Sequence, residues 1–170
     1  PEIFFFPVPG VDLFFVISGY LVTGIILSKK EDPKFFRTYI ARRFLRIAPV
    51  YYIGLSFVLF VIPNLSTTHQ PTEAWPYFVS FTQYIPKVWG GDMPPFIRRF
   101  DHSWTLAIEV QFYLIIPIFI CKISERFLPV LLVTAIAVSF LFRLNNGPVW
   151  TLIGRMDGLV MGVALAFIFK

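Results

Sequence analysis

Four ionisable side chains stand inside stretches that otherwise suit lipid. Asp12 is followed at once by Leu13-Phe14-Phe15-Val16-Ile17, Glu109 lies within the apolar run 103–121, and Arg155 and Asp157 lie near the start of the run 149–169. An ionisable group at mid-helix in a membrane costs about 2.5–3.5 kcal/mol on insertion scales, so each needs a reason. One reason is structural, ion pairs such as Arg155 with Glu109 or with Asp12. The other is a polar functional cavity, in which Arg155 and Asp157 are candidate substrate contacts. Residue type and depth leave both open.

A second constellation is Ala41-Arg42-Arg43-Phe44-Leu45-Arg46-Ile47-Ala48-Pro49. On a helix, Arg42 and Arg46 stand at i, i+4 and Arg43 and Arg46 at i, i+3, so all three share a face. Guanidinium forks suit phosphate, which points to a phosphorylated cytosolic ligand. The same three cations also serve as a positive-inside anchor, and spacing alone does not separate the readings.

The elements that position these groups are membrane helices. The 170 residues are 56% hydrophobic and 19% aromatic, with only 15% charged, and the mean hydropathy is +0.71. That composition, gathered into long apolar runs, indicates an all-α polytopic transmembrane bundle rather than a soluble domain. About five spans are expected, at 10–28, 47–63, 103–121, 127–142 and 149–169, the fourth of them short. The aromatic stretch 74–86, bounded by Pro76 and Pro86, reads as a re-entrant or interfacial segment. Residues 29–46 hold Lys29, Lys30, Lys34, Arg37, Arg42, Arg43 and Arg46, seven of the fifteen cations, which places that loop in the cytoplasm and 64–102 outside. The helices carrying Asp12, Glu109 and Arg155 then all begin outside and run inward. Their charges share the outer half of the membrane.

Other chemistry has little support. Cys121 is the sole cysteine, so there is no disulfide framework. His69 and His102 have no ligand spacing around them, and no metal site is expected. No G-x-S-x-G, P-loop or G-x-G-x-x-G occurs. The basic balance, net +5, is explained by topology and anionic headgroups rather than by nucleic acid.

Four blocks carry a family resemblance. The run Gly10-Val11-Asp12-Leu13-Phe14-Phe15-Val16-Ile17-Ser18-Gly19-Tyr20-Leu21 closely resembles the G-V-D-x-F-F-x-x-S-G-F-L signature of the acyltransferase 3 family, bacterial inner-membrane O-acyltransferases. Arg42 to Tyr51 is similar to its R-R-x-x-R-I-x-P-x-Y block, and Ser103 to Leu114 to its W-S-L-x-x-E-x-Q-F-Y block. Arg155-Met156-Asp157-Gly158-Leu159-Val160-Met161-Gly162 matches a weaker block on a later helix. The blocks occur in the family's order and span nearly all of the chain.

The resemblance implies transfer of an acyl group, acetyl first, from a cytosolic acyl-CoA to a hydroxyl of a cell-envelope carbohydrate or similar acceptor. It implies a multi-pass protein of the bacterial inner membrane, with the acyl-CoA as donor substrate and no permanently bound cofactor. Arg43 and Arg46, with Arg42 beside them, are implied to contact the CoA phosphates. Asp12 and Glu109 are implied to orient the acceptor hydroxyl or its base. Trp104, Gln111 and Tyr113 are implied to shape the cavity. The family's base is a histidine on a helix preceding the G-V-D block, and no histidine precedes Asp12 here. His102 is the tempting substitute, but its position before Ser103-Trp104 reads first as a loop histidine at the outer interface. The expectation is one membrane-embedded acyltransferase domain, residues 1–170, incomplete at both ends and inactive alone. The alternatives are a transporter with a buried charged pathway, or a non-catalytic membrane interaction subunit.

Overall fold

The computed structural model describes residues 9–61, 75–83, 103–124 and 126–169. Among these every regular element is helical. Helix α1 is Pro9–Lys29, and α2 is Phe35–Ser56, continued by one π-helical turn, Phe57–Val61. Then come the short α3, Trp75–Val79, then α4, Trp104–Lys122, α5, Leu128–Leu144, and α6, Leu152–Ile168. The helical membrane-bundle class expected from composition is therefore observed. Three helices are long and apolar enough to cross a membrane, Gly10–Lys29, Phe35–Val61 and Trp104–Lys122. Helices α5 and α6 have 17 residues each, roughly 26 Å at 1.5 Å per residue, and fall short of a full hydrocarbon core of ~30 Å.

One boundary moves substantially. The sequence reading starts the second span at residue 47 and assigns 29–46 to a loop, whereas α2 begins at Phe35. Hydropathy misses this start because the first twelve residues of α2 carry four arginines, a composition that reads as loop. The true connection is the tight turn 30–34. The Asp32 carbonyl accepts from Phe35 N (2.8 Å), and its carboxylate accepts from Lys34 N (2.8 Å), an Asx-type start to the helix. At the other end of the turn, Lys29 lies in the last turn of α1 while Asp12 lies in its first. Both complement the helix dipole.

The chain divides into two compact units, Pro1–Phe36 with Phe112–Lys170, and Arg37–Gln111. In the first, α1 and α6 run parallel. Asp12 meets Arg155 and Gly19 meets Gly162, each pair 143 residues apart. A constant offset means the two N-termini lie at one end. Close approach comes from the small-residue stripe Gly158, Gly162 and Ala166 on α6, the small-xxx-small pattern of membrane helix pairs. Helix α5 packs antiparallel to α6. It ends in a Schellman motif, with Asn146 at φ 59° and Gly147 N donating to the Phe142 carbonyl at 2.8 Å.

In the second unit, α3 also closes with a Schellman motif. Thr82 N reaches the Tyr77 carbonyl (2.7 Å) and Phe81 N the Phe78 carbonyl (3.2 Å). The left-handed position, φ 57°, is occupied by Phe81 rather than glycine. That conformation costs an L-residue about 1–2 kcal/mol. The Phe81 ring offsets the cost by stacking 4.4 Å from Tyr51 and 5.8 Å from Tyr52. Side chains of the neighbouring helices then take the carbonyls that this short helix leaves open. Tyr51 donates to the Phe78 carbonyl (2.8 Å), Tyr52 to that of Val79 (2.9 Å), and Gln111 Nε2 to that of Phe81 (3.0 Å). The described part of 74–86 is thus a short helix whose end is held by neighbouring side chains, a construction that serves a re-entrant and an interfacial segment alike.

Candidate active site

The G-V-D block places Asp12 in the first turn of α1, and the later block places Arg155 in the first turns of α6. Because the two helices are parallel and in register, these residues meet. Arg155 Nη1 lies 2.6 Å from Asp12 Oδ1, with the arginine side chain 11% exposed and the aspartate 40%. Of the two partners the sequence reading left open for Arg155, the structure selects Asp12. The pair uses one guanidinium nitrogen. Arg155 Nε is buried without a hydrogen-bond partner among the described residues.

Asp157 does not join this pair. Two residues along a helix is a turn of about 200°, so Arg155 and Asp157 leave α6 on opposite sides. Asp157 instead binds α5. Its Oδ2 accepts from Arg143 Nη2 at 2.7 Å and its Oδ1 from the buried Ser139 hydroxyl at 3.4 Å. The sequence reading missed Arg143 because it closes the fourth span at 142 and leaves Arg143 as a flanking cation. Two opposite charges 14 residues apart, each ending or opening an apolar run, were the available signal.

One and a half turns further along α1, Ser18 shares a 2.8 Å hydrogen bond with the Tyr113 hydroxyl, both groups buried. Ser18 belongs to the first block and Tyr113 to the third, so this bond joins two motifs. Tyr113 is thereby an interhelical tie. At the opposite end of α1, a groove of about 440 Å³ is lined by Tyr20, Gly24, Ser28, Ala166 and Phe169 among others. It opens where α1 runs into the basic turn.

In the second unit, Glu109 of α4 is buried, 6% exposed, next to the fully buried Ile108. Its burial deep in an apolar helix is the feature the sequence singled out. Ser103 and Gln83 are buried beside one another, with Gln83 Nε2 donating to both the Ser103 carbonyl (3.2 Å) and hydroxyl (3.1 Å). Gln111, expected to shape a cavity, donates to the Phe81 carbonyl. Trp104 opens α4 half-buried. Arg42, Arg43 and Arg46 fall within about 100° of the α2 circumference. Arg42 and Arg46 are exposed, while the half-buried Arg43 lies 6.0 Å from the Tyr39 ring. The three arginines thus share the helical face their spacing implied. His102 and His69, and the loop 64–102 apart from 75–83, lie outside the described residues.

Comparison with known proteins adds the family. The acyltransferase domain matches residues 2–169. O-acetyltransferase OatA of Staphylococcus aureus strain NCTC 8325 is 30% identical over 184 aligned residues, covering 94% of this chain. OatA of S. aureus strain COL matches to the same extent. The chain spans 30% of the length of these curated relatives. No solved structure matches it. With four motif blocks in order and a match along nearly its whole length, the chain belongs to the acyltransferase 3 family.

Proposed function

We propose that the protein is a membrane O-acyltransferase that moves an acyl group, acetyl first, from acyl-CoA on the cytoplasmic side to a hydroxyl of a cell-envelope carbohydrate. The membrane is the bacterial inner membrane. In the reaction, the acceptor oxygen attacks the thioester carbonyl carbon. The C–S bond breaks, the ester C–O bond forms, and the acceptor's proton leaves with the CoA thiol through a base.

Asp12 carries this reading. It is the acidic residue of the most specific motif, and it sits at the paired N-termini of α1 and α6 with Arg155 on one oxygen and 40% of its side chain open. A carboxylate so held keeps a lone-pair oxygen for a second partner, an acceptor hydroxyl or the imidazole that the resemblance implies as base. Glu109 is the second acidic group of the reaction. Arg42, Arg43 and Arg46 receive the CoA phosphates, for which a shared guanidinium face is suited. The role of Tyr113 is to tie α4 to α1 through Ser18, and that of Gln111 is to hold the end of α3.

The test is acyl-CoA turnover by membranes containing the full-length protein, with and without Asp12→Asn. The reading expects ester formation on an envelope glycan by the wild type and its loss in the variant. Solute flux into vesicles without acyl-CoA consumption would replace the enzyme with a transporter. Neither turnover nor flux, with a bound protein partner, would make it an interaction subunit.

A further inference from the structure

We propose that Arg143 on α5 is a positioning residue for the Asp12 carboxylate, acting through Asp157 and the first turns of α6. The inference rests on the reading of Asp12 given above.

Arg143 grips α6 twice. Its Nη2 meets the Asp157 carboxylate at 2.7 Å, and its Nη1 donates to the Gly154 carbonyl at 3.3 Å, the residue directly before Arg155. Gly154 is itself seated without room for a side chain, since a Cβ there would lie 3.1 Å from Val149 Cα and closer still to the Pro148 carbonyl. The backbone that launches Arg155 is therefore fixed from behind, by Arg143 and by the turn at 148–149. Arg155 has little else to hold it, because only Nη1 is bonded and Nε has no partner among the described residues.

Charge gives the second part of the argument. Arg155 and Asp157 are the two charged residues of α6. Arg143 neutralises Asp157, and Arg155 pairs with Asp12. Without Arg143, a part-buried carboxylate is left unpaired on the side of α6 that faces α5, opposite Arg155. An uncompensated charge at such a site is strongly unfavourable, so the first turns of α6 must shift to bring Asp157 to water, and that shift carries Arg155 away from Asp12. The four residues form an alternating series across three helices, and Asp12 stands at its working end.

The unpaired charge predicts a pattern that a mere helix clamp does not. In the full-length protein, Arg143→Gln should lower turnover at least tenfold with the acyl-CoA KM unchanged. Asp157→Asn should be milder, since it leaves no uncompensated carboxylate on α6. The double variant Arg143→Gln with Asp157→Asn should recover to within about threefold of wild type. Arg143→Lys, which keeps the charge without the fork, should also stay within about threefold and serves if the glutamine variant does not insert. A double variant as impaired as Arg143→Gln alone overturns the proposal, as does wild-type turnover in Arg143→Gln or a loss confined to donor KM. Arg143→Lys as inactive as the glutamine variant also overturns it. Asp12→Asn is measured alongside. If it keeps full transfer, the assignment of Asp12 has failed; if it is inactive while Arg143→Gln is normal, only the present inference has.

Discussion

Gly162→Ala should separate the two helices that bring Asp12 and Arg155 together. A Cβ at Gly162 would lie 2.7 Å from Tyr20 N and 2.9 Å from Gly19 Cα, and closer still to the Val16 carbonyl oxygen. All three are backbone atoms, so no side chain can rotate aside. Ordinary contact begins near 3.4 Å, so α1 and α6 must part by at least 0.7 Å at this point. Carried to the Asp12–Arg155 pair, the same displacement would lengthen a 2.6 Å contact to about 3.3 Å, outside the charge-assisted range of ~2.7–2.9 Å. Overpacking of this kind costs about 1–3 kcal/mol. Alanine's preference for helix over glycine returns about 1 kcal/mol. The net loss should be roughly 1–2 kcal/mol, at the upper end because the obstacle is backbone. Gly24→Ala on α1 is the matched control, because a Cβ there meets nothing within 4 Å. It should be neutral or stabilising by up to about 1 kcal/mol. Equilibrium unfolding in mixed micelles reads the difference, and acyl-CoA turnover reads its consequence. If Gly162→Ala is as stable and active as Gly24→Ala, the argument that this crossing sets the Asp12 geometry is refuted.

Three further outcomes are expected. Tyr51→Phe removes one of the two hydrogen bonds to the Phe78 carbonyl, Phe81 N keeping the other, and should lower stability by about 0.5–1.5 kcal/mol, with Tyr52→Phe milder because its bond is exposed; equal melting temperatures for both would contradict the role of Tyr51 at this segment. Arg43→Ala with Arg46→Ala should raise the KM for acyl-CoA at least tenfold while leaving acceptor KM in place, and unchanged donor dependence would remove the phosphate assignment. Arg155→Met should lower the melting temperature more than the double variant Asp12→Asn with Arg155→Met, because it leaves the part-exposed Asp12 carboxylate without its partner; equal melting temperatures in detergent would contradict the pairing.

The fold class was legible because a lipid-crossing helix advertises itself by an uninterrupted apolar run, and the acidic residues were legible because such runs make a carboxylate conspicuous. Depth along a helix, however, does not give direction around it. That is why Arg155 could be paired with either Glu109 or Asp12 from sequence, while the structure selects Asp12 through the parallel register of α1 and α6. Gly158 and Gly162 carry a G-x-x-x-G spacing that suits a close helix crossing, but a spacing on one helix does not name the residues it meets on another. Gly10 and Gly24 face open space, and only Gly19 is at the crossing. Arg143 escaped notice through a boundary two residues short. The end of α3 was not legible at all: phenylalanine is a poor candidate for a left-handed position, and only the stacking of Tyr51 and Tyr52 on Phe81 makes it the stable choice.

Sided acyl transfer tests the central claim most directly. Inside-out membrane vesicles containing the full-length protein are supplied with labelled acetyl-CoA outside, the original cytoplasmic face, and with glycan acceptor trapped within. The account predicts label on the enclosed glycan for the wild type, and none for Asp12→Asn or Glu109→Gln although both variants are inserted in normal amount. Undiminished labelling in either carboxylate variant, or labelling only when acetyl-CoA is enclosed with the acceptor, would contradict it.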